Sequence, residues 1–313
     1  MNDREREAVF TLCLMAAFAD GAKDELERAE LRRIAEGLNA PDFNAAAAYH
    51  KVLVQRPALA DVAAALESPE VRQLAYEMAV CVCNADGLQN AAEQQFLANL
   101  RAALRLDPAA TDPLTREADA LAAAPAAGGE LPLALMPGQP SVAGGADTDQ
   151  MILNYAILNG ALELLPDSLA TLAIIPLQVK MVYRIGRQHG FELDRGHIKE
   201  FAATVGLGLT SQVVEGYARK LLGGLLGTVL GGVGRSVGKH TASSLMSFAT
   251  TYALGHAARQ YYAGGRRLSA VELRQLFGSL NAQAQTLYAR YVPEIQRRAG
   301  EVNVRNLVPL LRQ

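Results

Sequence analysis

The sequence predicts an all-α protein: two helical domains joined by a Pro/Gly-rich linker, the second with glycine-rich apolar helical hairpins. Three observations predict it. The chain of 313 residues is half hydrophobic but only 6% aromatic, and alanine and leucine dominate it, which favours helices. Apolar residues recur at i, i+3, i+4, i+7 in a segment that repeats at an offset of 66 residues, the mark of amphipathic helices. Six of the 13 prolines fall between Pro108 and Pro140, with Gly128-Gly129 and Gly144-Gly145 nearby, a texture that reads as a tether. The expected division is an acidic helical domain over 1–106, a linker over 107–150 with one helix at Asp112 to Ala124, and a basic glycine-rich helical domain over 151–313. A chain of this length more often holds two domains than one.

The first helix is expected within Ala8 to Ala19, an apolar run of 12 residues. Ala17-Phe18-Ala19 resembles a signal-peptidase site, but Asp3, Glu5 and Glu7 precede it, where a secretory leader is positive. The run is therefore read as a core helix. It opens the first copy of the repeat. Val9, Leu12, Cys13 and Ala16 align with Ala75, Met78, Ala79 and Val82; Leu31, Ile34 and Leu38 align with Leu97, Leu100 and Leu104. Ala19-Asp20-Gly21 recurs as Ala85-Asp86-Gly87. Each copy reads as helix, Asp-Gly break, helix, with Gly21 and Gly87 free to end the first helix in a left-handed conformation. Pro41, Pro57 and Pro69 cut the stretch between the copies into shorter helices.

The breaks carry the acidic residues of interest. Asp20, Asp24 and Glu27 in the first copy correspond to Asp86, Asn90 and Glu93 in the second. Oxygen ligands from two loops suit a hard cation, calcium or magnesium. The same residues serve equally as helix caps and first-turn carboxylates, so both readings stay open. No stretch has the alternating ligands of an EF-hand loop. The alanine-Asp-Gly break with a Glu seven residues beyond Asp20 and Asp86, duplicated in a helical segment, resembles the tellurite-resistance protein B (TerB-like) family over about residues 5–106. The resemblance implies a compact helical domain with an acidic, metal-binding surface, linked to phage, toxic-anion and membrane-stress systems. Gln89, Asn90 and Ala91 depart from Lys23, Asp24 and Glu25 of the first copy, which removes carboxylates from the second break.

Net charge is −2, but the halves differ: residues 1–150 balance to −11 and residues 151–313 to +9. Such a split predicts two surfaces with different partners. Three cysteines exclude a disulfide scaffold and fit a reducing compartment. Cys81 and Cys83 stand two apart on a helix, so their side chains diverge and one is expected to face away from the core.

The second half holds four uncharged runs: Ser168–Val179, Phe201–Val214, Leu221–Gly234 and Thr241–Ala258. Each is short or too polar for a confident transmembrane helix. Gly223, Gly227 and Gly231 repeat at i+4, and Gly234 and Gly238 continue after a slip, a seam of small residues where a second helix approaches closely. The seam is expected to contact lipid, pack in a soluble bundle, or join copies in a homo-oligomer. GGVGRSVGKHT at Gly231 to Thr241 is not a Walker loop, because Val233 stands where glycine is required and His240 follows Lys239. The five histidines are scattered, so no enzyme constellation appears, and dispersed cations argue against nucleic acid. Ser269 to Tyr291 is expected to be a helix with a capping box at Ser269 and Glu272, ended by Pro293.

IIPLQVKMVYRIGRQHG, Ile174 to Gly190, followed by the glycine-rich stretch, resembles the bacterial domain-of-unknown-function family 697 over about residues 155–292, through Pro176, Gln178 and Met181. The resemblance implies a helical, membrane-associated regulatory or assembly module, often attached to GTPases. The expected role is non-enzymatic: a membrane-associated stress-response or scaffold protein, cytoplasmic and peripheral on or embedded in the inner membrane. The alternative is a soluble helical oligomer whose basic half binds a protein partner such as a GTPase in trans.

Overall fold

The structure is a computed structural model, and it describes residues 1–21, 25–37, 39–40, 43–87, 89–123, 145–165, 167–223 and 240–302. The described residues are almost wholly helical. In order they form α1 (Asp3–Ala17), α2 (Glu25–Gly37), a two-residue antiparallel pair β1 (Asn39–Ala40) and β2 (Phe43–Asn44), α3 (Ala45–His50), a π-turn Lys51–Gln55, and α4 (Leu59–Ala63). There follow α5 (Pro69–Cys83), α6 (Ala91–Ala103), α7 (Pro108–Ala122), α8 (Gly145–Leu162), α9 (Ser168–Gln188), α10 (Arg195–Thr204) and α11 (Leu209–Gly223). Two long helices end the described chain: α12 (His240–Ala263) and α13 (Ala270–Glu301).

The repeat is reproduced at residue level. α5 begins and ends 66 residues after α1, and α6 begins and ends 66 residues after α2. The aligned apolar pairs are buried in both copies: Leu12 and Met78, Cys13 and Ala79, Leu31 and Leu97, Ile34 and Leu100. Each copy's first helix is capped at the position before it, by Asn2 and by Ser68, whose side chains accept from backbone N–H groups in the first turn. Gly21 and Gly87 both adopt positive φ, 66° and 150°, a conformation without steric cost only for glycine.

The chain forms two compact units, and they do not coincide with the division by composition. The first takes residues 1–123, 166–172 and 208–240; the second takes 124–165, 173–207 and 241–313. The first unit therefore draws α11 from the basic half. α11 packs on α1, α2 and α5, which also pack on one another or on α3 and α7. Its Val214, Tyr217, Ala218 and Leu221 are fully buried. Within the expected linker, α7 is a folded helix that starts earlier than Asp112, with Pro108 at its first turn and Asp107 as cap. Thr111, Ala118 and Leu121 bury it against α5. Residues 124–144 lie outside the described residues.

The second unit centres on Ala156, Ile157 and Ala161 of α8, Phe248 and Ala249 of α12, and Ala284, Tyr288 and Ile295 of α13. Gly160 lets Ile295 and Phe248 come within 3.4 Å of where a Cβ would stand. This packing carries α13 through Pro293 to Glu301, past its expected end. The proline removes one backbone bond, and the burial of Ile295 and Arg298 beyond it holds the helix on course. The run Phe201–Val214 is likewise two elements, since α10 stops at Thr204 and Gly206 turns with φ of 86° before α11. α9 is the one helix among the described residues long and apolar enough to cross a membrane, and it is mostly buried inside the fold.

Candidate functional site

The two acidic breaks are the site that the sequence singles out. After α1 and after α5 the chain makes a short turn, which holds Asp20 and Asp86 half-buried. In the second break the side chains are spoken for. Asn90 caps α6: its Oδ1 accepts from the N–H of Ala92 at 2.9 Å and of Glu93 at 3.1 Å. Glu93 reaches back, and its Oε2 accepts from the Asn90 N–H at 2.9 Å. This is a capping box, and it buries the Glu93 carboxylate almost completely. Gln89 donates to Asp119 of α7 at 3.2 Å, which ties the break to the next helix. In the first break, Asp24 lies outside the described residues, and Glu27 is placed only as part of α2. Among the described residues, no group of three or more His, Cys, Asp or Glu is placed to hold a metal ion.

A second cluster in the first unit went unread. It joins α5, the start of α9 and α11. Lys220 is 2% exposed, and its ammonium donates to Thr171 Oγ1 at 2.5 Å. Tyr217 donates its hydroxyl proton to the Ser168 carbonyl at 2.9 Å. Glu77 and Cys81 of α5 lie beside this network. Burial raises the Glu77 carboxyl above the ordinary range, with the Asp167 charge adding to the effect. Burial also drives the Cys81 thiol far up, against the pull of Tyr217, and it lifts Cys13 to about 12. These thiols are held protonated, which makes them space-filling groups and not nucleophiles.

Cys83 is also buried, and so the expectation that one of the Cys81–Cys83 pair faces outward is corrected. The side chains do diverge. Cys83 approaches the Ala16 carbonyl of α1 at 4.0 Å, while Cys81 meets α11. α5 has a partner on each side, so both directions lead into protein.

In the second unit, polar groups run through the interior. Thr251 of α12 accepts from Asn159 of α8 at 2.9 Å and from Gln178 of α9 at 3.1 Å. All three are at most 1% exposed. Nearer the start of α8, Asp149 is paired with Arg259 and lies 3.6 Å from His256 Nδ1. The His256 ring stacks against Tyr252 with centroids 4.3 Å apart. Burial lowers the His256 pKa, and Arg259 lowers it further, against the opposing pull of Asp149.

Of the glycine seam, Gly223 ends α11; Gly227, Gly231, Gly234 and Gly238 lie outside the described residues.

Residues 2–118 match the family model described as "Protein of unknown function (DUF533)", a TerB-like family. The matched stretch takes in both copies of the repeat and most of α7. No curated protein and no solved structure matches the chain.

Proposed function

We propose that the chain is a non-enzymatic, membrane-associated stress-response or scaffold protein on the cytoplasmic face of the inner membrane. The duplicated TerB-like unit binds a protein partner or a hard cation through its acidic surface. The glycine-rich segment anchors or oligomerises the protein. One observation carries the reading. α11 supplies the first residues of the uncharged run Leu221–Gly234, while Val213, Val214 and Tyr217 on the same helix are buried in the duplicated unit. An anchor at this run would be joined to the acidic unit through a packed helix and not through a tether. Membrane attachment then fixes the unit close to the lipid surface.

The soluble alternative, an oligomer that binds a partner such as a GTPase in trans, draws on a different observation. α9, long and apolar enough to span a bilayer, is mostly buried within the fold. Fractionation of the full chain separates the two. The membrane reading expects it in the membrane pellet, resistant to high salt, and expects Gly227→Leu with Gly231→Leu to release it, because the groove is filled. Recovery of the wild type from the cytosolic fraction at low and high salt alike would leave the soluble reading.

A further inference from the structure

We propose that His256 is a proton-controlled latch in the second unit: neutral, it lets the first turns of α8 sit on α12, and protonated, it releases them. Gly255 makes the contact close. A Cβ at that position would stand 2.7 Å from Ile152 Cγ2 of α8 and 3.0 Å from Met181 Sδ of α9, so the three helices meet there only because the residue is glycine. The close approach leaves the next residue, His256, 7% exposed. Its ring lies against Tyr252, with centroids 4.3 Å apart, and its Nδ1 is 3.6 Å from Asp149 Oδ1. Two polar contacts hold the same turn of α8. Asp149 pairs with Arg259 of α12, and Thr148 donates to Gln188 Oε1 of α9 at 3.0 Å.

The groups around the ring set the sign of the response. α12 itself brings Arg259, and α8 brings Asp149; α9 presents Met181 and Gln188, both uncharged. α13 brings Tyr291, which acts on Tyr252, and Arg290 lies over the Tyr291 ring. Asp149 thus faces two basic side chains. While His256 is neutral, the carboxylate serves Arg259 alone. A proton on His256 makes two cations for one carboxylate in a buried position, and burial and Arg259 together outweigh the pull of Asp149.

The docked state is therefore a poorer proton acceptor than one in which the head of α8 has lifted and the ring is hydrated. As pH falls below the ordinary imidazole value of about 6.5, the lifted state takes up the proton and gains on the docked one. The gain ends where the docked ring is itself protonated. One proton is at stake, so the ratio of lifted to docked changes by at most about tenfold per pH unit.

Hydrogen exchange of the full chain tests the latch, followed by mass spectrometry and corrected for the intrinsic pH dependence of amide exchange. The range is about pH 7.5 to about pH 5, which brackets the imidazole value. Peptides from the first turns of α8 should lose protection below about pH 6.5, by up to about tenfold per unit, while α5 of the first unit keeps its protection. His256→Gln leaves a neutral polar group in place of the ring and should keep the head protected throughout the range. Arg259→Gln lowers protection at every pH by removing the ion pair. It also leaves Asp149 to the imidazolium, so the loss on acidification should shrink; a merely structural histidine would leave that slope unchanged. Flat protection of the α8 head in the wild type overturns the proposal. So does a loss that persists in His256→Gln, and so does an equal loss in α5, the mark of global unfolding.

Discussion

A fragment that ends at Ala123 should fail to fold as a cooperative unit, although it contains both copies of the repeat. The reason is α11. It lies some ninety residues downstream, yet Val213, Val214, Tyr217 and Leu221 are at most 1% exposed in the first unit. Full burial of a side chain of this size contributes about 1.5–3 kcal/mol. Loss of the four therefore removes about 6–12 kcal/mol, reduced by roughly 10–40% because the unfolded chain already hides some surface. Domains are stable by only about 5–15 kcal/mol in total, so the loss consumes most of the margin. The assay is urea unfolding followed by far-ultraviolet circular dichroism, on the fragment and on the full chain. The fragment should show a broad, shallow transition. In the full chain, Leu221→Ala should cost about 2–5 kcal/mol, the usual range for a buried leucine. A sharp transition for residues 1–123 at the midpoint of the full chain would refute the argument and restore the boundary drawn from composition.

Two further outcomes follow from the local chemistry. Asn90→Ala removes the cap of α6 and frees the buried Glu93 carboxylate, and should cost about 1 kcal/mol in thermal unfolding; the part of that cost that appears only with added calcium measures any cation at the break. His256 is shifted below its ordinary pKa by burial, so between its folded value and about 6.5 the unfolded chain holds more protons. Stability should therefore rise with pH through that window and fall on acidification, and His256→Gln should flatten this slope in urea midpoints measured across the range.

The repeat was fully legible because it rests on two signals that a sequence preserves. One is the spacing of buried apolar positions, such as Leu31 with Leu97 and Ile34 with Leu100. The other is the break chemistry, in which Gly21 and Gly87 take positive φ and Asn90 with Glu93 form a capping box. Both are local, and a helix with one wet face displays them. The membership of α11 was not legible for the opposite reason. Its partners lie on α1, α2 and α5, more than a hundred residues away, and the Pro/Gly-rich stretch between them is a strong local signal for a boundary that says nothing about which helices meet. The outward cysteine failed on similar grounds, since the period gives the direction of each side chain but not whether that direction ends in water.

Helices with partners on several sides also hide their polar residues from a periodicity argument. Asn159, Gln178, Lys180 and Lys220 interrupt apolar stretches, and such interruptions read as solvent-facing positions. All four are at most 2% exposed. This changes the meaning of the charge split. The +9 balance of residues 151–313 counts Lys180, Lys220 and Arg298, which are buried, and Lys220 belongs to the first unit. Buried charges act on their neighbours and contribute little to the field seen by an approaching partner. A basic surface of the second unit must rest instead on exposed cations such as Arg187, Arg266, Arg267, Arg274 and Arg290. Arg297 is exposed as well, but it is paired with Glu294 and Glu301. Any attraction of this unit to an acidic partner is therefore weaker than composition implies, and it should be screened by salt over about 10 Å at 0.1 M. Arg298 is paired with Glu301 and Lys220 donates to Thr171, so these buried cations are engaged inside the fold, in a low dielectric where the loss of a partner costs far more than at the surface.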